Sequence, residues 1–406
     1  MSVVYKETEL GKIPNDWDFV EFSSIAELRH GYQFRNYDFT ESGIKILKIT
    51  QIKGNETIDI SSCSYISEDR IDDFRRVIIN KGDILIALTG ATIGKIARFN
   101  SDELVLQNYR VGNFFPLDKN KLSKDYLFHY LRSNFFYHQI LARQTQSAQQ
   151  NIGKEEINNM MVFLPKPKEQ TSIAKILTAF DDKIENLQAQ NKTLEQTTQT
   201  IFKEWFGKYK VGDELPDGWI VGKIYDVLDV QYGFPFKSKL FNEDKKGLPL
   251  IRIRDIRKGI TGYFTDEEYL NEYIVNSGDV LAGMDAVFRP YLWSGQKGLL
   301  NQRVCRFIPK KFASRIFVFE FMKPHLSFYE KTKVGTTVIH LGKSDLDSIV
   351  TIIPSKEIIS KFKELSTPIE EKIINNNQKI QTLKKTRDTL LPKLMSGQIR
   401  VNEFKG

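Results

Sequence analysis

At 406 residues, with 41% hydrophobic and 12% aromatic side chains, the chain is long enough for two or three domains with real cores and too apolar to be a disordered tail. No apolar run approaches the roughly 18 residues of a membrane span, and Met1 to Glu7 lack the basic-then-apolar pattern of a secretory signal, so a cytoplasmic protein with no membrane partner is expected. The formal charge of +8 invites a nucleic-acid partner, but basic residues exceed acidic ones by one over 1–154, by none over 155–210, by two over 211–354 and by five over 355–406. The excess sits mainly in the last segment, so local patches must carry any such role.

In chain order, Asn36–Gly43 reads as turn-rich, and Lys45–Thr50, Asp83–Leu88 and Val105–Pro116 read as strands, rich in Ile, Leu, Val and Phe and bounded by Gly, Asn or Asp. Asp125–Leu131 reads as a helix, with Ile316–Met322 as its counterpart. Cys63 and Cys305 have no metal spacing and read as ordinary thiols.

The chain repeats itself. Trp17 returns as Trp219 and Gly31-Tyr32-Gln33-Phe34 as Gly233-Phe234-Pro235-Phe236, both 202 residues later. Lys81-Gly82-Asp83-Ile84-Leu85 matches Ser277-Gly278-Asp279-Val280-Leu281 at 196, Arg110 matches Arg303 at 193, and Gly153-Lys154 matches Gly342-Lys343 at 189, where the shift stays to the end. A drifting shift marks globular parts that accept insertions, and a constant one marks helices that do not. Such a duplication suggests a pseudo-twofold molecule suited to a target with two half-sites. The boundaries read as 1–165, 166–210, 211–354 and 355–406.

The segments with constant shift carry heptads. One row runs Ile173, Phe180, Leu187, Leu194, Ile201 and the other Leu177, Ile184, Asn191, Thr198, Trp205. The second copy gives Phe362, Ile369, Asn376, Leu383, Leu390 with Ser366, Ile373, Ile380, Arg387, Leu394. Two antiparallel helices of ~35–40 residues, ~50–60 Å long, are expected to pair along these seams, with Pro392 ending or kinking the second. Symmetry places Asn191 opposite Asn376, each amide satisfying the other at some cost in stability.

Motifs of catalysis are missing. Thr89-Gly90-Ala91-Thr92-Ile93-Gly94-Lys95 has three residues between its glycines where a nucleotide loop needs four, and Ile96 where it needs Ser or Thr. It reads as a glycine-rich turn able to approach a DNA phosphate, or as a plain tight turn. The acids of Asp217 and Glu243-Asp244-Lys245 match a nuclease only loosely, and the segment Glu243–Lys245 has no counterpart in the first copy. The five histidines show no ligand spacing, and neither a Gly-x-Ser-x-Gly elbow nor an Asn/Asp-Pro-Pro-Tyr/Phe tetrapeptide occurs. No metal and no cofactor is expected in this chain.

Polar clusters recur at matched places instead. Arg, Lys, Asn and Gln are the side chains that read purine edges in the major groove. The candidates in the first copy are Tyr32, Gln33, Lys48, Thr50, Gln51, Thr89, Thr92, Lys95, Gln107, Asn108, Arg110, Gln149, Gln150, Asn151 and Lys154. In the second they are Arg252, Arg254, Arg289, Asn301, Gln302, Arg303, Thr336, Thr337, His340 and Lys343. Their side chains differ between copies, which implies half-sites of different sequence. Each is alternatively a solvated loop residue or a cap.

Taken together, Gly82-Asp83-Ile84-Leu85 with Thr89–Lys95, and Ile157–Pro165 leading through Lys168-Glu169-Gln170 into Ile173-Ala174-Lys175-Ile176-Leu177, resemble the specificity subunit of type I restriction–modification enzymes over essentially the whole chain. In the second copy Met284-Asp285-Ala286 stands for Thr89-Gly90-Ala91. The resemblance implies an α+β chain with two pseudo-symmetric α/β target-recognition domains joined by two long antiparallel helices forming a coiled coil. It implies double-stranded DNA as target, read as a bipartite asymmetric site. Two modification (methyltransferase) subunits and restriction/translocase subunits are implied as partners, which bring S-adenosylmethionine, ATP and Mg. Half-sites one helical turn apart would leave a gap of roughly 5–8 bp. The alternatives are a stand-alone tandem DNA-binding or scaffold protein without a methyltransferase partner, and an enzyme with an unfamiliar site.

Overall fold

The computed structural model describes residues 4–53, 57–144, 151–332 and 339–401. Two compact units emerge, one of residues 1–182 with 385–406 and one of residues 183–384. The border between them therefore falls inside both long helices, Pro167–Phe206 and Lys356–Met395, each of 40 residues. No helix among the described residues is long and apolar enough to cross a membrane.

In the first unit a four-stranded antiparallel sheet runs in the order Ile96–Arg98, Ile84–Ala87, Val111–Pro116, Ala26–His30. The strand Ile84–Ala87 is buried along its whole length because both sheet faces are covered. Its side chains alternate between two cores: Ile84, Ile86 and Leu88 join one, Leu85 and Ala87 the other. A second sheet pairs Ile44–Leu47 with Val105–Gln107 in parallel, flanked by the short strands Ser64–Ile66 and Ile78–Ile79. The segment Val105–Pro116 is thus two strands in two sheets, broken by a turn at Asn108–Arg110, and Lys45–Thr50 gives up its last residues to a 3₁₀ turn at Ile49–Gln51.

The helices Lys124–Leu131 and Asn134–Gln144 cover the first core. Buried Gln170 fixes the start of the former: its Oε1 accepts from the Ser123 amide at 2.9 Å, and its Nε2 donates to the carbonyls of Lys121 and Pro165. Glu169, also buried, accepts from Trp17 Nε1 at 2.9 Å and from Arg400, which in turn grips Asp16. The long second helix passes through Pro392 without ending there. It stops at Met395, and Gly397, at φ +69°, turns the chain back across Trp17.

The second unit repeats this plan. Its sheets run Leu228–Tyr232, Val304–Pro309, Val280–Gly283, Pro290–Leu292 and Phe264–Thr265, Leu248–Ile251, Gly298–Leu300, Ile274–Val275. Again one buried strand divides two cores, with Val280, Ala282 and Met284 on one side and Leu281 on the other. A single helix, Arg315–Thr332, with Pro324 inside it, replaces the two helices of the first unit.

The heptad rows are the inward faces of the long helices: none of the twenty seam positions is exposed. In the first unit Ile173 and Leu177 pack with Leu394 and Leu390, while Asp181 pairs with Arg387 and Arg132 at 2.6 Å each; Phe180 is half-buried. In the second unit Ile184 and Leu187 meet Ile380 and Leu383, and Leu194, Ile201, Phe362, Ile369 and Ile373 share one core, so the helices run antiparallel. Asn376 Nδ2 donates to Asn191 Oδ1 at 2.9 Å as the symmetry predicts. The exchange is not reciprocal, however. Asn191 Nδ2 donates to Asn377 Oδ1 at 2.8 Å, and buried Asn376 Oδ1 finds no partner among the described residues.

Polar groups left imperfectly paired in an apolar seam lower stability. Replacing Asn191 and Asn376 together by leucine is expected to raise the unfolding free energy by about 1–2 kcal/mol in urea denaturation. Asn376→Leu alone, which strands Asn191 Oδ1, should not.

Buried His129 and half-buried His325 set an acid limit. Burial, with Arg132 alongside, holds His129 down to about 3 from 6.5, while burial alone holds His325 down to about 4. The unfolded chain takes up a proton at each below pH ~6.5 and the folded chain does not, so stability falls on acidification through that window. The slope is at most roughly 1.4 kcal/mol per pH unit per histidine. Thermal melts should show Tm dropping from pH 7 towards 5, with His129→Gln flattening part of the drop.

Candidate nucleic-acid interface

The turn Asn108–Arg110 stands where the chain leaves one sheet for the other, and it gathers four other segments by main-chain hydrogen bonds. The Tyr32 amide donates to the Gln107 carbonyl and the Tyr109 amide to the Tyr32 carbonyl, both at 2.9 Å. The Asn108 amide reaches the Leu47 carbonyl at 3.1 Å, the Leu88 amide the Arg110 carbonyl at 3.0 Å, and the Ile152 amide the Leu88 carbonyl at 3.0 Å. Val111 to Asn108, 2.9 Å, closes the turn on itself. These six bonds bring Tyr32-Gln33, Lys48, Thr89 and Asn151 beside Arg110.

The second unit makes the same six. Phe234 donates to Leu300 and Gln302 to Phe234, both at 2.9 Å; Asn301 donates to Ile251 at 3.3 Å; Met284 donates to Arg303 at 2.9 Å; Leu341 donates to Met284 at 2.7 Å; Val304 donates to Asn301 at 3.2 Å. The bridge between Thr89 and Asn151 recurs as Asp285 with His340. This corrects the alignment of the glycine-rich turn: Met284 stands for Leu88, Asp285 for Thr89 and Ala286 for Gly90. Ala286 accordingly takes φ +63° where Gly90 has +70°.

Side-chain exposure divides the candidates. Tyr32, Gln33, Thr50, Arg110, Asn151, Lys154, Arg254, Arg289, Gln302, Arg303, His340 and Lys343 are exposed, and Lys48, Thr89, Thr92, Lys95 and Arg252 are half-buried. Gln51, Gln107, Asn108 and Asn301 are buried and serve the scaffold, so they do not present edges to a base. Gln107 Nε2 donates to the carbonyls of Arg29 and Val111, and Gln51 bridges the Lys48 amide and the Ser62 carbonyl. Asn108 Oδ1 accepts from the Arg110 amide, and Asn301 Oδ1 from the Gln302 amide. Gln149, Gln150, Thr336 and Thr337 lie outside the described residues.

Several cations are already engaged. Lys48 Nζ donates to Ser64 Oγ at 2.7 Å and sits 4.3 Å above the Phe39 ring; Arg252, at the matching position, lies 4.0 Å above Tyr263 and near Asp255. Arg289 pairs with Glu330 at 3.0 Å. The Thr89–Lys95 turn folds back on its own strand, Ala87 donating to Lys95 and Gly94 to Ala87. Among the described residues no group of three or more His, Cys, Asp or Glu could hold a metal ion. Both thiols are buried, and burial pushes Cys305 up to about 12.

Sequence reasoning missed four participants. Asp285 lies 2.7 Å from His340 Nδ1, and Tyr109 holds the Arg110 side chain. Gly31 and Gly233 were used only to align the repeats, yet a Cβ on them would fall 2.1 Å from the Gln107 carbonyl oxygen and 2.0 Å from that of Asn301. Their recurrence as Gly-aromatic pairs was the available signal.

The model of the family described as "Type I restriction modification DNA specificity domain" matches residues 14–196 and again 216–385. The type I restriction enzyme MjaIX specificity subunit of Methanocaldococcus jannaschii is 27% identical, across 98% of this chain and 97% of its own. The EcoBI specificity subunit of Escherichia coli is 30% identical across 46% of this chain and 40% of its own. The crystal structure of a type I restriction–modification S subunit from M. genitalium superposes with a TM-score of 0.55, covering 93% of this chain and 96% of its own at 15% identity, a likeness of fold.

Because backbone oxygen atoms crowd Gly31 and Gly233, neither can accept a methyl group without moving its turn. Gly31→Ala and Gly233→Ala are each expected to cost at least about 2 kcal/mol. Gly90→Ala, which meets only the Ile49 Cδ1 atom at 4.0 Å, should cost about 1 kcal/mol. Denaturant titration of the three variants checks the ranking.

Proposed function

This chain belongs to the type I restriction–modification DNA specificity family, and from that membership we propose that it reads a bipartite, asymmetric DNA site, one half with each unit. It is a recognition subunit rather than an enzyme. The paired helices set the gap between half-sites and offer the docking surface for two modification subunits, to which the restriction/translocase subunits are added. Adenine methylation and ATP-driven cleavage belong to those partners, which hold the S-adenosylmethionine, ATP and Mg, and the assembly works in the cytoplasm.

One observation carries this reading: the same main-chain scaffold is built twice and dressed with different side chains. Thr89 and Asn151 in one copy stand where Asp285 and His340 stand in the other, and Tyr32 stands where Phe234 does. Identical geometry supports one docking mode for both units; unequal side chains support two unequal half-sites. Neither globular copy is strongly basic, so phosphate attraction contributes little and the partners are needed for tight binding.

Methylation-motif sequencing of cells with and without this gene is expected to reveal a split adenine motif that disappears on deletion, and tagged chain should co-purify with two modification subunits. Unchanged methylation, with the chain recovered alone, favours the stand-alone scaffold; activity of the purified chain alone favours the enzyme.

A further inference from the structure

An arginine stands at the end of each hub turn, and each is poised by neighbours that the other copy lacks. Arg110 is exposed; its Nε donates to the Tyr109 hydroxyl at 2.8 Å, and its guanidinium carbon lies 5.3 Å from that ring's centroid. Arg303 has a side chain 56% exposed, with Nη1 at 3.2 Å from His340 Nδ1 and 3.8 Å from Asp285 Oδ1. It also holds φ at +71°, a left-handed conformation that a non-glycine residue adopts at a cost. The six backbone bonds fix where each Cα stands, and the side-chain contacts fix where each guanidinium points.

What these contacts leave free is informative. Among the described residues, both Nη groups of Arg110 and the Nε and Nη2 groups of Arg303 have no protein partner. Each guanidinium therefore keeps two adjacent N–H donors on one edge: the terminal edge in Arg110, the lateral edge in Arg303. Two parallel donors match the O6 and N7 acceptors that guanine alone shows together in the major groove. A phosphate would also accept from such a fork, but the Asp285 carboxylate beside Arg303 repels the full charge of a phosphate more strongly than the partial charges of base acceptors. The geometry points to Arg110 and Arg303 as the guanine readers of the two half-sites, an assignment that rests on the chain recognising a split DNA site.

The test uses the assembled specificity–modification complex and a duplex bearing the methylated motif found by sequencing. Each guanine is replaced in turn by 7-deazaguanine, which keeps pairing but removes N7. One guanine in each half should prove sensitive, with affinity falling about 10-fold or more. Arg110→Gln should abolish that sensitivity in one half and leave the other intact; Arg303→Gln should do the reverse. Arg110→Lys keeps the charge but not the fork. It should retain the wild-type Tm and complex formation yet discriminate less sharply at the same base pair, since an ammonium can reach O6 and N7 but not as a planar fork.

A half-site without a G·C pair overturns the assignment, as do Gln variants that weaken every duplex equally while keeping the deaza penalty. If the wild-type complex shows no split motif at all, the functional reading itself fails, and it does so before any variant is made.

Discussion

The close approach of two backbones governs each unit. Gly31 and Gly233 lie so near the hub turn that a side chain at either would overlap a carbonyl oxygen. This contact lets one short turn hydrogen-bond to a strand end on either side of it and so join two sheets that also share one buried core between them. Buried amides reinforce it from within. Gln107 spends its donors on the carbonyls of Arg29 and Val111, across the place where the sheets meet. A buried polar side chain of this kind is stabilising only when fully paired, and its pairing here is with main chain.

The helix seams follow a different logic. Their ends are apolar and continuous with the unit cores, through Ile173 and Leu177 with Leu394 in one and Leu194 and Ile201 with Phe362 in the other. Their middles carry polarity: Asp181 between Arg132 and Arg387, and the amides of Asn191, Asn376 and Asn377. Apolar heptads alone would tolerate a slip of one repeat. A slip that separated Asp181 from its arginines would leave a half-buried carboxylate uncompensated: burial pushes its pKa up, and Arg132 and Arg387 more than offset this, holding it below the usual carboxylate value. Polar residues therefore fix register while apolar ones supply adhesion.

Much of this was legible in the sequence. The all-apolar run Ile84–Ala87, expected as a strand within Asp83–Leu88, and period 3.5 at Ile173–Trp205 are direct consequences of burial, and both form where the sequence places them. The failures have physical causes. Val105–Pro116 looked like one strand because the hub turn contains neither Gly nor Pro; its shape comes from tertiary hydrogen bonds. Pro392 looked like a stop, but it costs the helix only the one bond it would donate to the Asp388 carbonyl, and the helix runs on to Met395. Gln51, Gln107, Asn108 and Asn301 looked like base readers because amides that satisfy buried backbone and amides that read purines are the same residues. Burial separates them, and no local pattern encodes burial at a turn. Ala286 was misaligned by one because it adopts a glycine's conformation, which its identity conceals.

The division between backbone and side chain explains how one architecture can serve unequal targets. Six hydrogen bonds per unit are made by amides and carbonyls that every residue except proline possesses. Leu300 can therefore stand for Gln107, Met284 for Leu88 and Ile251 for Leu47 without changing the turn they support. Exposed side chains on that frame are correspondingly free to differ, as Asn151 and His340 do. A frame held by side-chain contacts would couple every change of specificity to a change of stability. A frame held by main chain uncouples them, except where a Cβ itself is excluded, and there both copies keep glycine.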